Sequence, residues 1–227
     1  MIFKSLFNLC FPRQCFGCNQ VLLRHQTFLC AYCLHHLPFT EQHRFRENEA
    51  YQRFHGRLPL ENCSCLIYFT KSGFVQRLFH ELKYNNQPEI SHYLGKIYAS
   101  QLQNTAWLQT VDALIPVPMH ATKRKKRGYN QVDGFAQALS ETFGIPIAQQ
   151  LLTQEKPSSS QTRKSLFERT RENKFRFQIA FQPQDHGKHY VLLDDILTTG
   201  GTLEACGKKI LEIPDCKISI LCLAQTQ

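Results

Sequence analysis

The sequence predicts an α/β chain: a parallel sheet flanked by helices, with a small four-cysteine module ahead of it. Three observations carry that expectation. Two CxxC pairs, Cys15 with Cys18 and Cys30 with Cys33, stand near the start. Apolar runs of strand length at 66–70, 111–117, 190–193 and 217–223 are interspersed with segments of helical period at 74–82 and 90–102. The run at 190–193 leads into two adjacent carboxylates, a turn rich in hydroxyls and glycine, and then another helical pattern. With 227 residues the chain has room for one medium domain and an appendage.

Composition narrows the class. A content of 42% hydrophobic and 20% charged residues is that of a soluble globular protein rather than a disordered one. No apolar run approaches the ~20 residues that a transmembrane helix needs, so no transmembrane segment is expected. Residues 1–11 are apolar but run into Pro12, Arg13 and cysteines without a small-residue cleavage site, and read as a packing segment. The formal charge of +9 favours anionic partners, phosphorylated small molecules and nucleic acid alike. Ten cysteines in a secreted chain would mean disulfides, but four of them form the two CxxC pairs. A reducing, cytoplasmic setting with one metal site is the economical account.

Each CxxC pair spaces its thiolates for a tight turn around one ion, and the eleven residues between the pairs allow a loop to bring them together. Four thiolates at tetrahedral geometry select zinc, and a closed shell makes the ion structural. A redox pair or two disulfides would need a flanking βαβ pattern or a secretory context. Cys10 between apolar neighbours reads as packing, and His25, His35 and His36 as surface. Residues 39–62 look like a connector, which divides the chain into 1–62 and 63–227. Cys63 and Cys65 alternate onto one strand face as buried small hydrophobes. Phe74, Val75, Leu78, Phe79 and Leu82 then mark a helix that Lys83 and Tyr84 end. Ile90, Tyr93, Leu94, Ile97, Tyr98 and Leu102 mark a second, before the strand at 111–117.

Five consecutive cations, from Lys123 to Arg127, follow that strand at its carboxyl end, the edge where open α/β sheets bind ligands. Most of the run reads equally well as a solvated face. Arg127 abuts Gly128 and Tyr129 at a loop-to-helix junction, where a fixed cation can meet pyrophosphate. Asn130 is placed to cap a helix with Val132, Phe135, Ala136, Leu139 and Phe143 inward. The polar stretch 153–176 is long for a loop inside a compact domain and has the character of a functional segment, with a short helix at 166–173 presenting Arg169. Finally, Asp194 and Asp195 precede Thr198, Thr199, Gly200, Gly201 and Thr202, and Leu203, Cys206, Ile210 and Ile213 fall near one helix face. Free N–H groups at such a turn can point at a 5-phosphate while the acids meet sugar hydroxyls or a magnesium hydration shell.

Paired acids followed by TTGGT resemble the PRPP-binding signature of type I phosphoribosyltransferases. Together with the CxxC pairs, ELKY at 81–84, IPVP at 115–118, RGYNQ at 127–131, Gln161-Thr162 and ERTREN at 168–173, nearly the whole chain resembles the ComF/GntX family. That resemblance implies a type I phosphoribosyltransferase fold behind a zinc module. It also implies a role in single-stranded DNA uptake during natural competence, among competence-machinery proteins. By the same resemblance Asp194 and Asp195 would hold ribose hydroxyls and residues 198–202 the 5-phosphate of PRPP or ribose 5-phosphate with Mg2+. Arg127 with Gly128, Tyr129 and Lys123 would face pyrophosphate, and Gln161, Thr162 and Arg169 would belong to a lid. Many members carry further CxxC pairs before the ELKY helix, where this chain offers only His55, Cys63 and Cys65.

Three functions compete at this point: a transferase acting on PRPP, a single-stranded DNA-binding factor, and a PRPP sensor without turnover. No acceptor pocket and no catalytic base are legible. Tyr84, Tyr129 and Phe167 are available as stacking platforms for a strand.

Overall fold

The computed structural model describes residues 12–154 and 177–227. Four parallel strands form the main sheet in the order β1-β6-β5-β2, with β1 at Asn62–Phe69, β2 at Ala113–Pro116, β5 at His189–Leu197 and β6 at Lys217–Thr226. A separate antiparallel pair joins β3, Leu152–Gln154, to β4, Phe177–Ile179. The helices are α1 (Ala31–His35), α2 (Glu49–Gln52), α3 (Phe74–Tyr84), α4 (Glu89–Leu102), α5 (Ala121–Arg127), α6 (Asp133–Phe143) and α7 (Gly201–Ile210). The expected α/β architecture, a parallel sheet flanked by helices with four cysteines near the start, is what the structure shows.

Strand alternation sorts the core into two layers. Val191 and Leu193 of β5, with Leu221 and Leu223 of β6, join Leu78, Leu82, Leu94 and Phe135 on the face covered by α3, α4 and α6. Tyr190 and Leu192, with Ile220 and Cys222, join Leu203, Cys206 and Ile210 of α7 on the other. The helical faces read from spacing are the buried ones: Val75, Leu78, Phe79 and Leu82 in α3, and Phe135, Ala136 and Leu139 in α6. Cys63 and Cys65 are buried in the second layer. Helices α4 and α6 cross closely because a Cβ on Gly95 would stand 2.7 Å from that of Ala138.

Three local details differ from the sequence reading. The strand before the acids does not stop at Leu193; it continues through both aspartates to Leu197, with Asp194 in register with Cys222. The cationic run is helical rather than a loop. Its Ala, Lys and Arg residues favour helix, His120 accepts from the Thr122 N–H, and four cations in the last turn suit the helix dipole before left-handed Gly128 ends it. The N-cap of α6 is Val132 rather than Asn130, although the Asn130 Oδ1 accepts from the Val132 N–H at 3.4 Å in the turn leading into the helix. The Asn130 side chain is buried and donates to the Val117 carbonyl at 3.0 Å, tying the end of β2 to the next turn.

Candidate functional site

The four cysteines of the two CxxC pairs converge, with their sulfurs all within 4.8 Å of one another. Backbone N–H groups of Gly17 and Cys30 both donate to the Cys15 sulfur at 3.3 Å, and that of Cys33 to Cys30 at 3.4 Å. The Cys18 and Cys30 sulfurs are 3.6 Å apart, far beyond the ~2.05 Å of a disulfide. That separation matches the edge of about 3.8 Å expected for a tetrahedron with Zn–S bonds of ~2.3 Å. Burial pushes the Cys15 thiol up, but backbone donors from Cys30, Cys18 and Gly17 outweigh it and bring Cys15 down to about 7. Burial and then its three thiol neighbours push Cys33 up, so the cluster resists ionising together without a cation. The donor set fits structural zinc. Gly17 is required here by contact, since a Cβ would stand 2.8 Å from the Cys33 sulfur.

The second cluster sits at the carboxyl end of β5. Asp195 falls on the α3 face, where Lys83 reaches it at 2.7 Å. Their side chains are 23% and 8% exposed, so the pair is largely withdrawn from water. Asp194 lines a cavity of about 140 Å3 with Ile196, Leu203 and residues 198–202. Its carboxylate accepts from the Asp195 N–H at 2.8 Å, and that of Asp195 accepts from Ile196 at 2.7 Å. Burial first, and then the neighbouring Asp195 charge, hold the Asp194 carboxyl above the usual carboxylate range.

The turn beyond the acids is braced from outside. Gly200 is left-handed at φ +78°, and a Cβ there would meet the Phe54 ring at 2.9 Å. Arg53 donates to the Thr198 carbonyl and, at its other nitrogen, to Thr226. Arg57 donates to the Thr199 carbonyl at 3.0 Å and pairs with Glu204 of α7. Occupied carbonyls leave the N–H side of the turn for a ligand. The stretch read as a connector therefore holds the Thr–Gly turn, through Phe54 beneath it and two arginines on its rim.

Arg127 bonds the Gln131 side chain and places its guanidinium 5.8 Å from the centre of the Tyr84 ring. Tyr84 follows Lys83 in α3, so one helix end links the acid pair to the Arg127 junction. Tyr129 is half-buried and donates to the Leu82 carbonyl. Gly128 is the α5 cap, and Lys123 is exposed on that helix with no ion pair among the described residues. Gln161, Thr162 and Arg169 lie outside the described residues. Sequence reasoning missed Lys83, Arg53 and Arg57; of these only Lys83 carried a signal, its place in the ELKY motif.

No family model matches the chain. It is 28% identical over 154 residues to DNA utilization protein YhgH of Escherichia coli K12, covering 66% of each chain. It is also 28% identical over 152 residues to competence protein F of Haemophilus influenzae, covering 65% of this chain and 66% of that one. The resemblance to the competence protein F family is borne out. The chain spans just under two thirds of the length of the curated relatives it matches. Among solved structures, a purine phosphoribosyltransferase from Pyrococcus horikoshii is 20% identical with a TM-score of 0.37, covering 59% of this chain and 72% of that one. Adenine phosphoribosyltransferase from Saccharomyces cerevisiae is 14% identical with a TM-score of 0.39, covering 68% and 75%.

Proposed function

We propose that this chain binds PRPP with magnesium at the carboxyl end of β5, and does so in the service of DNA uptake in the cytoplasm. The observation that carries the reading is the small cavity enclosed by Asp194 and residues 198–202, with its carbonyl side already satisfied by Arg53 and Arg57. Such a cavity takes the 5-phosphate on backbone N–H groups at the start of α7. Asp194, held protonated, can donate to a ribose hydroxyl, while Asp195 accepts from the neighbouring one once Lys83 turns toward ligand. A magnesium ion would keep several of its waters and be held mainly by the ligand's own oxygens, with Asp195, and Asp194 once the cation's charge has ionised it, accepting from those waters. Arg127 is the fixed cation for the pyrophosphate side, with Gly128, Tyr129 and Lys123 around it. Gln161, Thr162 and Arg169 are proposed as the covering segment. Any transfer would draw on these oriented charges rather than on a covalent intermediate.

The cellular role rests on the names of the relatives, competence protein F and DNA utilization protein, and on the cationic helix. A second reading, direct binding of single-stranded DNA, is favoured by Tyr84, 69% exposed beside Arg127 and close to α5. Zinc is proposed as the ion of the four-cysteine module, within the 1–62 unit that precedes the 63–227 ligand-binding unit. Phosphorus NMR of PRPP with magnesium tests the main reading. The 5-phosphate resonance should shift saturably with protein, and pyrophosphate release on adding candidate acceptors would separate a transferase from a sensor. An unperturbed spectrum at ~1 mM of both components would sink it.

A further inference from the structure

A second cavity, of about 670 Å3, opens at the other edge of the sheet, where β1 begins at Asn62. Its walls come from the 3-10 turn Gln42–Arg44 and the residues after it, and from the corner between α4 and the 3-10 turn Ala106–Thr110. That volume lies within the ~300–1,000 Å3 of small-molecule sites. It shares no lining residue with the acid pair or the Thr–Gly turn. Its residues divide into three kinds. Phe45 is 67% exposed at the rim and Trp107 is half-buried, offering planar apolar faces. Arg44 pairs with Glu41 at 3.2 Å, and Arg46 donates to the Glu61 carbonyl at 3.0 Å with the Glu61 carboxylate 3.8 Å away; each guanidinium has five N–H donors, so some remain over for an anion. Behind them stand His43 and Gln101, whose Nδ1 and Oε1 atoms are buried and find no partner among the described residues. Buried polar atoms are almost always paired, so two orphans beside one cavity point to an occupant that completes them. Burial, then the Arg44 charge, keep His43 neutral, able to donate on one ring nitrogen and accept on the other.

We propose that this cavity is a nucleotide site, taking a planar heterocycle against Trp107 and Phe45 and its phosphate on Arg44 and Arg46. An amide and a neutral imidazole together can read the donor and acceptor edge of a base, for which either side chain need only rotate. A cation is a poor occupant, because the Glu41 carboxylate in the lining is already tied to Arg44. The same chemistry could come from a free mononucleotide or from one nucleotide of a single strand. This site stands independently of PRPP binding at β5.

Trp107 is the only tryptophan in the sequence and reports directly on the cavity. The zinc-loaded full chain is titrated with adenosine 5′-monophosphate and, separately, with a dinucleotide and a short single-stranded oligonucleotide, following Trp107 emission and calorimetric heat. A saturable change with at least one ligand is expected; a response to the mononucleotide marks a free-nucleotide site, and a response to the oligonucleotide alone marks a strand site. Arg44→Ala/Arg46→Ala, both at exposed positions, should weaken binding tenfold or more with an unchanged melting curve, and Gln101→Leu should weaken it further. Asp195→Asn should leave it unchanged. No saturable change with any of the ligands up to ~1 mM overturns the proposal. So does binding that survives Arg44→Ala/Arg46→Ala and is lost in Asp195→Asn, which would assign the ligand to the β5 site.

Discussion

Asp194 shows what a single carboxyl costs when it is withdrawn from water beside a second one. Burial and the Asp195 charge raise its pKa to about 8, so the folded chain keeps a proton that the unfolded chain releases near pH ~4. Across that window the unfolded state binds fewer protons, and this group's contribution makes stability fall as pH rises. Asp194→Asn keeps the acceptor for the Asp195 N–H and has no proton to lose. The ligand-free variant should melt above the parent at pH 8, by at least about 1 kcal/mol and at most the ~5 kcal/mol that about four pKa units are worth, roughly 2 °C or more, and converge with it near pH 4. Parallel melting curves across that range would show that the carboxyl is not under this stress. Lys83 acts in the opposite sense on Asp195. Lys83→Met should cost about 2 kcal/mol at neutral pH, less than the ~3–5 of a fully buried pair because the lysine keeps 23% exposure. Adding Asp195→Asn should return most of it; an additive double variant would mean that the two groups do not couple.

At the scale of elements, α3 joins the two candidate sites. Its first residue packs near Gly17, and Arg77 donates to the Gly17 carbonyl at 2.7 Å. Its last two residues are Lys83 and Tyr84. Cys15, Cys30 and Cys33 also share one core with Val75 and Leu78, so the cysteine module is packed onto the sheet rather than tethered to it. Chelation should therefore release one zinc per chain and lower the melting point of the whole chain by roughly 5 °C or more, in one transition. An unchanged melting curve after stoichiometric release would place the metal outside the fold's energetics. Much of this was readable in advance, because helix period, strand period and CxxC spacing are local signals. The α3 and α6 faces, the convergence of the cysteines and the acid–turn–helix order all follow from residues close together in sequence. The braces on the turn do not. Arg53 and Arg57 reach Thr198 and Thr199 across more than 140 positions, and nothing near them in sequence marks their targets. Helix α5 was hidden because it has no buried residue and so no apolar period.

Across the whole molecule, parallel strands put the Asp194 cavity and the Arg127 junction at the carboxyl edge of the sheet, as open α/β sheets place their ligands. The Arg44–Trp107 cavity lies at the amino edge. A net charge of +9 surrounds both and suits anionic ligands at each. The central claim is that the turn after β5 takes a ribose 5-phosphate while Arg127 takes the pyrophosphate. Calorimetric titration of the parent and Arg127→Ala with magnesium and either PRPP or ribose 5-phosphate tests both halves at once. The account predicts that both ligands bind the parent, and that Arg127→Ala weakens PRPP about tenfold, ~1.4 kcal/mol, while leaving ribose 5-phosphate unchanged. Equal loss of both ligands, or no binding of either to the parent at ~1 mM, would contradict it.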